Sequence, residues 1–356
     1  MNLIRALSAL ARPVLQSLDP ERAHALTISA LRFAPAGHVE PDDPRLRVQA
    51  FGLEFPNPIG LAAGFDKNAQ VTEAMLAFGF GFVEAGTVTP RPQAGNPKPR
   101  IFRLVEDRAV INRLGFNNEG MAAARARLTA LQRRPGIRGI NIGANKDSAD
   151  RVADYVAGLK ALGPLASYVT VNISSPNTPG LRGLQNKSEL NDLLAALFET
   201  RAALPRRMPL LVKIAPDLDE QGCADIAEMA ITHGIDGLIV TNTTVARPQS
   251  LKSRHAGEAG GLSGAPLFEP STEILRRMRR LTNGRMTLIG VGGRRLRRRR
   301  PMRRFVPARR WCSFYTALTY DGPALVSRIK ADLAACLTRD GLPDVSAAVG
   351  LDERKA

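Results

Sequence analysis

Cysteine and histidine are scarce in this sequence, which contains three cysteines and four histidines in 356 residues. The cysteines, at positions 223, 312 and 336, are odd in number and far apart, so they fit neither a disulfide framework nor a metal site. We therefore expect no metal, and a protein of the reducing, cytosolic side of the cell. The histidines have no partners nearby in sequence, and we expect solvated or helix-terminal positions for His24, His38, His233 and His255.

Long apolar runs are also absent. No segment approaches the roughly 20 apolar residues that a membrane-spanning helix needs. No small-residue cleavage site follows an apolar segment near the N-terminus, so we expect no signal peptide. Hydrophobic residues still make up 44% of the chain. This length and composition predict one large α/β domain with a short extension.

Acidic residues are outnumbered, because 33 aspartates and glutamates face 50 lysines and arginines and the net charge is +17. Ten of the arginines lie in one acid-free stretch, residues 294–310, and without them the net charge is +7, which is ordinary for a soluble enzyme. A charge run is usually a solvated face, although it can also bind an anionic partner. This stretch has only Phe305 and Trp311 as nearby aromatic residues and no recognised binding motif, so we expect no nucleic-acid partner.

The first 40 residues predict two short amphipathic helices. The second begins after Asp19, with Pro20 at the first helical position. A proline-containing linker and a two-stranded ribbon over residues 46–48 and 53–55 follow. We divide the chain into an N-terminal helical extension, a barrel domain and a C-terminal tail, covering residues 1–40, 45–340 and 341–356.

From Pro58 onward, short apolar runs alternate with helix-like segments, which is typical of parallel βα repeats. A doubly wound sheet would need a glycine-rich turn after its first strand, and Gly64-Phe65-Asp66-Lys67 lacks that dinucleotide fingerprint. The sequence therefore predicts a (β/α)₈ TIM barrel. Its expected strands are residues 59–62, 82–87, 139–142, 168–173, 210–214, 237–241, 287–291 and a segment ending at Tyr315.

Polar and glycine residues cluster just after these strands, at the end of a barrel where active sites lie. The cluster is rich in amides, hydroxyls and glycines, includes two lysines, and is poor in acids and histidines. That inventory suits a flat heterocycle with carbonyl and N–H edges, and suits hydrolysis or metal chemistry poorly.

The same strand ends carry six motifs: LAAGFDK (61–67), GTVTP (86–90), GNPKPR (95–100), NRLGFN (112–117), NISSPNTPGLR (172–182) and GGLSGAPL (260–267). Together they resemble the dihydroorotate dehydrogenase family, and the resemblance runs from Leu15 to Leu333 apart from one interruption. The family has a cytosolic class with cysteine as catalytic base and a membrane-associated class with serine. Ser175 at the base position and the helical N-terminus indicate the second, quinone-dependent class.

The resemblance implies oxidation of (S)-dihydroorotate to orotate in pyrimidine biosynthesis, with FMN as hydride acceptor and a quinone as final acceptor. It implies a monomer at the cytoplasmic side of the cell membrane, in peripheral contact through its N-terminal helices. Ser175 is the implied base, although a serine outside such a motif is usually a turn residue. The implied substrate contacts are Lys67, Asn112, Arg113, Leu114, Gly115, Phe116, Asn172, Asn177, Asn242 and Thr243. The implied FMN contacts are Ala63, Gly64, Phe65, Asp66, Lys67, Thr87, Asn141, Asn172, Lys213, Thr241, Gly264, Gly293, Tyr315 and Thr316.

The arginine stretch interrupts this resemblance where a helix and the eighth strand belong. With codons chosen within the degeneracy of residues 301–314, a reading frame shifted by one base gives a family-like helix end followed by an apolar strand. We therefore predict a pair of compensating frameshifts spanning about residues 294–314. Codons incompatible with the shifted frame would contradict this hypothesis.

Two alternatives remain from the sequence. One is another FMN barrel, a dihydropyrimidine or tRNA-dihydrouridine reductase, which would carry cysteine as acid/base and, for tRNA, an added binding domain. The other is a nucleic-acid-binding protein that uses residues 294–310; salt-sensitive binding without flavin would favour it.

Overall fold

The computed structural model describes residues 12–34, 41–291 and 311–351. Its strands are β1 Val48–Ala50, β2 Leu53–Phe55, β3 Ile59–Leu61, β4 Phe82–Val88, β5 Ile101–Leu104, β6 Ala109–Asn112, β7 Ile137–Ile142, β8 Tyr168–Asn172, β9 Leu210–Ile214, β10 Gly237–Val240, β11 Gly261–Gly264, β12 Thr287–Val291 and β13 Trp311–Phe314. Residues 12–17 are helical, and the α-helices that follow are α1 Pro20–Arg32, α2 Thr72–Ala77, α3 Gly120–Leu131, α4 Arg151–Leu162, α5 Lys187–Ala202, α6 Glu220–His233, α7 Phe268–Leu281, α8 Thr316–Asp321 and α9 Ala324–Arg339.

Eight parallel strands close a barrel in the order β10-β12-β13-β3-β4-β7-β8-β9. Every strand predicted from the apolar runs is present within a few residues of its expected bounds. The predicted (β/α)₈ barrel is therefore confirmed. Helices between successive strands pack around it, and their inward faces share one large apolar core with the outer faces of the strands.

Glycines make room for large rings inside the barrel. A Cβ on Gly60 would lie 2.1 Å from the ring of Phe82, and one on Gly139 would lie 2.1 Å from the ring of Tyr168. These two rings pack edge to face with centroids 6.4 Å apart. They fill the amino-terminal end of the interior, where the β1–β2 hairpin places Phe55 against Phe82 at 5.5 Å. The open end of the barrel is therefore the carboxyl end of its strands.

The α1 helix begins where the sequence predicted. The Asp19 carboxylate accepts hydrogen bonds from the backbone N–H groups of Glu21 and Arg22, and Pro20 occupies the first turn. Such a cap satisfies donors that the helix itself leaves unpaired. Glu21 then docks the helix on the barrel through a two-pronged pair with the buried Arg100 guanidinium, at 2.7 and 3.1 Å.

A second sheet, in which β11, β6 and β5 run antiparallel, was not predicted from the sequence. Its register pairs Asn112 with both Ile101 and Gly261. This sheet stands at the carboxyl end of the barrel and brings β6 and β11 to the mouth. It was missed because its strands are four residues each and lie inside segments that read as loops.

The eighth barrel strand, β13, is formed despite the interrupted family pattern. Its backbone pairs Cys312 with Ile59 on one side and with Gly290 on the other. Cys312 and Phe314 are buried, so the residues present preserve the apolar character that the strand needs. Gly293 and the arginines of residues 294–310 lie outside the described residues, and the frameshift hypothesis stays a prediction.

All three cysteines lie among the described residues. Cys223, Cys312 and Cys336 are all buried, and none of these described residues forms a disulfide bond. Among the described residues, no cluster of histidine, cysteine and acidic side chains could hold a metal ion. No described helix is both long and apolar enough to cross a membrane.

Candidate active site

A cavity of about 420 Å³ opens at the carboxyl end of the barrel strands and runs towards α1. This volume lies in the range of small-molecule sites. The predicted site residues that line it are Ala63, Gly64, Phe65, Lys67, Thr87, Asn112, Leu114, Gly115, Phe116, Asn172, Ser175, Asn177, Lys213, Thr241, Asn242, Thr243, Gly264, Tyr315 and Thr316. Residues more than 250 positions apart therefore meet at one surface, because parallel strands all end at the same side of a barrel.

Ser175 lies in the loop directly after β8 and is 5% exposed. Its Oγ accepts a hydrogen bond from the backbone N–H of Asn177 at 3.2 Å. That bond leaves the hydroxyl hydrogen free to point into the cavity. The neighbouring Ser174 is oriented differently, since its Oγ donates to Asn172 Oδ1 at 3.0 Å and accepts from Asn242 Nδ2 at 3.0 Å. Ser175 therefore lines the cavity, whereas Ser174 holds two side-chain amides.

The pKa values of both lysines that line the cavity are lowered from the ordinary value for lysine. Burial lowers the pKa of Lys67 to about 8; the charge of Glu21 opposes this fall, Arg100 adds to it and Asp66 opposes it. Burial also lowers the pKa of Lys213, against the opposing charge of Glu84. A buried ammonium favours an anionic partner at short range. Each lysine therefore marks a place in the cavity where negative charge is stabilised.

Three of the predicted site residues that the structure describes do not line the cavity. The Asp66 carboxylate is buried in its own loop, where it accepts from the backbone N–H groups of Gln70 and Val71 at 2.8 Å each. The Arg113 guanidinium turns away to pair with Glu258 at 2.7 Å. Asn141 lies beneath Thr87 rather than at the surface. Direct ligand contacts by these side chains stay predictions.

The loop after β8 is fastened at its far end by Arg182. Its Nε donates to Ser174 O at 3.2 Å and its Nη2 donates to Thr243 O at 3.1 Å. Its Nη1 pairs with Asp217 at 2.8 Å. The guanidinium thereby joins the segments that follow three barrel strands around Ser175.

The α1 side of the cavity holds residues that the sequence did not single out. His24 was expected to be solvated, but it lines the cavity with its Nδ1 3.3 Å from the Tyr315 hydroxyl and its ring against Phe65. Burial lowers the pKa of His24 to about 3, and the charge of Lys67 contributes, so the ring is neutral near pH 7. Its spacing from Ala23, Thr27 and Leu31 on one helix face could have revealed it.

Arg103 is a second residue that was missed. It lies on β5 in the unforeseen sheet and lines the cavity. Its guanidinium donates to Gln16 O at 2.9 Å and to Leu18 O at 2.8 Å, the end of the helical residues 12–17. A cation at a helix carboxyl end satisfies carbonyls that the helix leaves unpaired. Arg103 therefore fixes the N-terminal segment over the cavity.

A family model described as dihydroorotate dehydrogenase matches residues 45–337. This chain belongs to the dihydroorotate dehydrogenase family. It is 56% identical over 351 residues to a dihydroorotate dehydrogenase (quinone) of Parvibaculum lavamentivorans, a match that covers 97% of this chain and 99% of that relative. A dihydroorotate dehydrogenase (quinone) of Rhodospirillum rubrum is 53% identical, with 97% and 94% covered.

Solved structures agree with this family. A crystal structure of DHODH from Eimeria tenella in complex with ferulenol has a TM-score of 0.89 at 41% identity, covering 94% of this chain and 96% of that one. The ligand-free DHODH of the same organism gives the same TM-score at 42% identity. These relatives favour neither a dihydropyrimidine or dihydrouridine reductase nor a nucleic-acid-binding protein.

Proposed function

We propose that this chain oxidises dihydroorotate to orotate in pyrimidine biosynthesis and passes the electrons to a quinone. The observation that carries the proposal is the convergence of Ser175, Lys67 and four asparagine amides on one cavity that extends to the N-terminal helix. A carboxylate-bearing pyrimidine dione matches this set, because an ammonium pairs with the carboxylate. The amides of Asn112, Asn172, Asn177 and Asn242 offer both donors and acceptors for the ring.

We propose FMN as the cofactor, and the residues around the cavity fit it. The buried Lys213 supplies a cation for the electron-rich end of a reduced flavin. Gly64 has φ +106°, and a Cβ there would approach only the Tyr315 ring, at 3.8 Å, so a flat ring can pass close to this backbone. When bound, FMN supplies a hydride acceptor for the substrate and an electron carrier to the quinone. It would be held by Ala63, Gly64, Thr87, Asn172, Lys213, Thr241, Gly264, Tyr315 and Thr316.

Ser175 acts as the base that takes the proton from the carbon beside the substrate carbonyl. A serine hydroxyl is a weak base, so its own proton must pass on to water or to a neighbouring group as it accepts the new one. Burial of Ser175 helps, because a water-poor site strengthens every charge interaction around the reacting carbon. Lys67 holds the substrate carboxylate and fixes the ring against Ser175.

The quinone reaches the cavity between the N-terminal helical residues and α8. This side is lined by apolar Leu15, Ala23 and Leu31, which suits an isoprenoid-like or aromatic molecule. Exposed apolar side chains on the same segment, Val14, Leu26 and Phe33, support peripheral contact with the cell membrane. A membrane-soluble acceptor would then enter directly from the lipid.

Ala23→Trp tests this route. Ala23 is buried on the cavity face of α1, so an indole there would obstruct the passage. We expect steady-state quinone reduction to fall by more than about ten-fold, because a packed site resists added volume, while reduction of bound flavin by dihydroorotate in a single turnover changes little. The matched control is Ala25→Trp on the exposed face of α1. Equal losses in both half-reactions would contradict a separate quinone route.

The proposed function itself is tested by the absorbance of the purified protein. We expect a flavin spectrum that dihydroorotate bleaches without oxygen and that a short-chain quinone restores. FMN released by acid and identified by chromatography would distinguish it from FAD. A protein that carries flavin but is not reduced by dihydroorotate would overturn the substrate assignment, and salt-sensitive binding of RNA without flavin would favour the alternative.

A further inference from the structure

One carboxylate is buried inside the barrel beneath the candidate site. Glu84 lies on β4 and is 3% exposed. Its Oε1 accepts from Asn141 Nδ2 at 2.8 Å, and its Oε2 accepts from Thr170 Oγ1 at 2.9 Å and from the Tyr168 hydroxyl at 3.3 Å. A carboxylate at this depth is costly unless several donors satisfy it. Glu84 does not line the cavity, so contact with a ligand does not explain why a carboxylate is buried here.

A chain of hydrogen bonds leads from Glu84 to the substrate site. Thr87 Oγ1 donates to Asn141 Oδ1 at 2.6 Å and accepts from Asn172 Nδ2 at 2.9 Å. Asn172 Oδ1 in turn accepts from Ser174 Oγ at 3.0 Å and from Asn242 Nδ2 at 3.3 Å. Asn141 and Thr87 therefore link the carboxylate to two of the amides that line the cavity.

The direction of this chain follows from its first member. An ionised carboxylate can only accept hydrogen bonds, so Asn141 must turn its nitrogen to Glu84 and its oxygen to Thr87. The Thr87 hydroxyl then donates its hydrogen to Asn141, and its oxygen accepts a hydrogen bond from Asn172. The oxygen of Asn172 consequently faces Ser174, and this orientation is reinforced by the Ser174 backbone N–H, which can only donate. Each amide has one orientation that satisfies all its neighbours.

We propose that Glu84 is a positioning residue for the substrate: its acceptor-only carboxylate sets the hydrogen-bond direction of Asn141, Thr87 and Asn172, and thereby the face that Asn172 presents to dihydroorotate. The proposal rests on the proposed function. Lys213 supports it, because Glu84 is the carboxylate that opposes the loss of the lysine charge on burial. Glu84 thus acts on the cavity both through the amides and through the charge of its buried lysine.

Glu84→Gln is the direct test. Glutamine keeps the size of the side chain but adds a donor, so Asn141 is no longer held in one orientation and the charge is lost. We expect orotate to bind about ten-fold more weakly, which corresponds to roughly 1.4 kcal/mol of lost hydrogen bonding, measured by calorimetry on the flavin-loaded protein. We also expect the reduction potential of the bound flavin to become more positive, because the substitution removes a negative charge beneath the cavity. Glu84→Asp keeps an acceptor-only carboxylate and is expected to recover part of the orotate affinity.

Tyr168→Phe is the matched control. It removes a hydroxyl that donates to the same carboxylate but leaves the links through Asn141, Thr87 and Asn172 intact. We expect its orotate affinity to stay within about two-fold of wild type, a change below roughly 0.5 kcal/mol. An unchanged orotate affinity in Glu84→Gln would overturn the proposal. Equal losses in Glu84→Gln and Tyr168→Phe would overturn it too, since they would indicate a general packing defect.

A second variant keeps the test decisive if Glu84→Gln does not fold. Thr87→Val has nearly the same shape as threonine and removes the hydroxyl that links Asn141 to Asn172. We expect the flavin-loaded Thr87→Val protein to bind orotate more weakly than wild type, and an unchanged affinity would overturn the proposal. Measurements on the wild-type protein distinguish the two proposals. If dihydroorotate does not reduce its flavin, the proposed function fails. If dihydroorotate does reduce it and the variants bind orotate as the wild type does, only the proposed role of Glu84 fails.

Discussion

Ser175→Ala is expected to slow the reduction of bound flavin by dihydroorotate by about 10²- to 10⁴-fold, the usual contribution of a positioned acid or base. Orotate affinity and flavin content should change little, because Ser175 Oγ accepts from its own loop and holds none of the amides. Stopped-flow spectrophotometry without oxygen measures the reduction step alone. A rate equal to that of wild type would eliminate Ser175 as the base.

Two neighbouring variants show whether the effect belongs to this one hydroxyl. Ser174→Ala removes a group that bonds to Asn172 and Asn242 without lining the cavity. We expect it to weaken orotate binding more than it slows reduction. Ser175→Cys places an ionisable thiol at the same position. It should therefore retain more of the reduction rate than Ser175→Ala does. A greater loss of reduction rate in Ser174→Ala than in Ser175→Ala would contradict the assignment of Ser175 as the base.

Lys67→Met is expected to weaken orotate binding by about 10- to 100-fold, the range of roughly 1.5–3 kcal/mol that hydrogen bonds to charged groups contribute. Methionine retains the length and the apolar stem of the side chain but carries no charge. Titration of the flavin spectrum with orotate gives the dissociation constant directly. Lys187→Met, which removes an exposed lysine paired with Glu228, is the control for loss of one positive charge. Similar orotate affinities in both variants would remove Lys67 from the substrate site.

The lowered pKa of Lys67 also predicts how orotate binding depends on pH. Burial lowers the pKa of Lys67 to about 8, so the ammonium is present below that pH and is lost as the pH rises through it. Orotate binding should therefore weaken by about ten-fold per pH unit above pH 8, until the pKa of the complex, raised by the bound anion, is reached. Lys67→Arg should flatten this dependence, because a guanidinium stays protonated. A wild-type affinity that is constant from pH 7 to pH 10 would contradict the assignment.

Much of the barrel could be predicted from local patterns. A strand buried on both faces needs a mostly apolar run, and residues 168–173 (YVTVNI) and 210–214 (LLVKI) each show one. The order of strands then follows from the right-handed connection of parallel repeats. The motif around Ser175 indicated the proposed base together with Asn172 and Asn177, which are its neighbours along the chain and also line the same cavity.

Contacts between segments that lie far apart along the chain could not be predicted from the sequence. The β5–β6–β11 sheet consists of short strands whose pairing partners are up to about 150 positions away, so no local period announces it. His24 was misjudged because burial, and not its sequence neighbours, sets its environment. The arginine stretch is a different case: the interrupted pattern pointed to a displaced reading frame, and residues 292–310 lie outside the part of the chain that the structure describes.

Apolar periodicity and one long motif are carried by residues that are neighbours along the chain, so the fold class, the family and the candidate base could be predicted from the sequence. Which side chains turn towards the cavity could be known only from the folded barrel. Arg113 and Asp66 belong to family motifs, yet their side chains lie in an ion pair and in a loop. Glu84 belongs to a strand that carries no motif signal, yet it accepts a hydrogen bond from Asn141 beneath the cavity. Hydrogen-bond direction and burial depend on partners that the barrel brings together from separate strands.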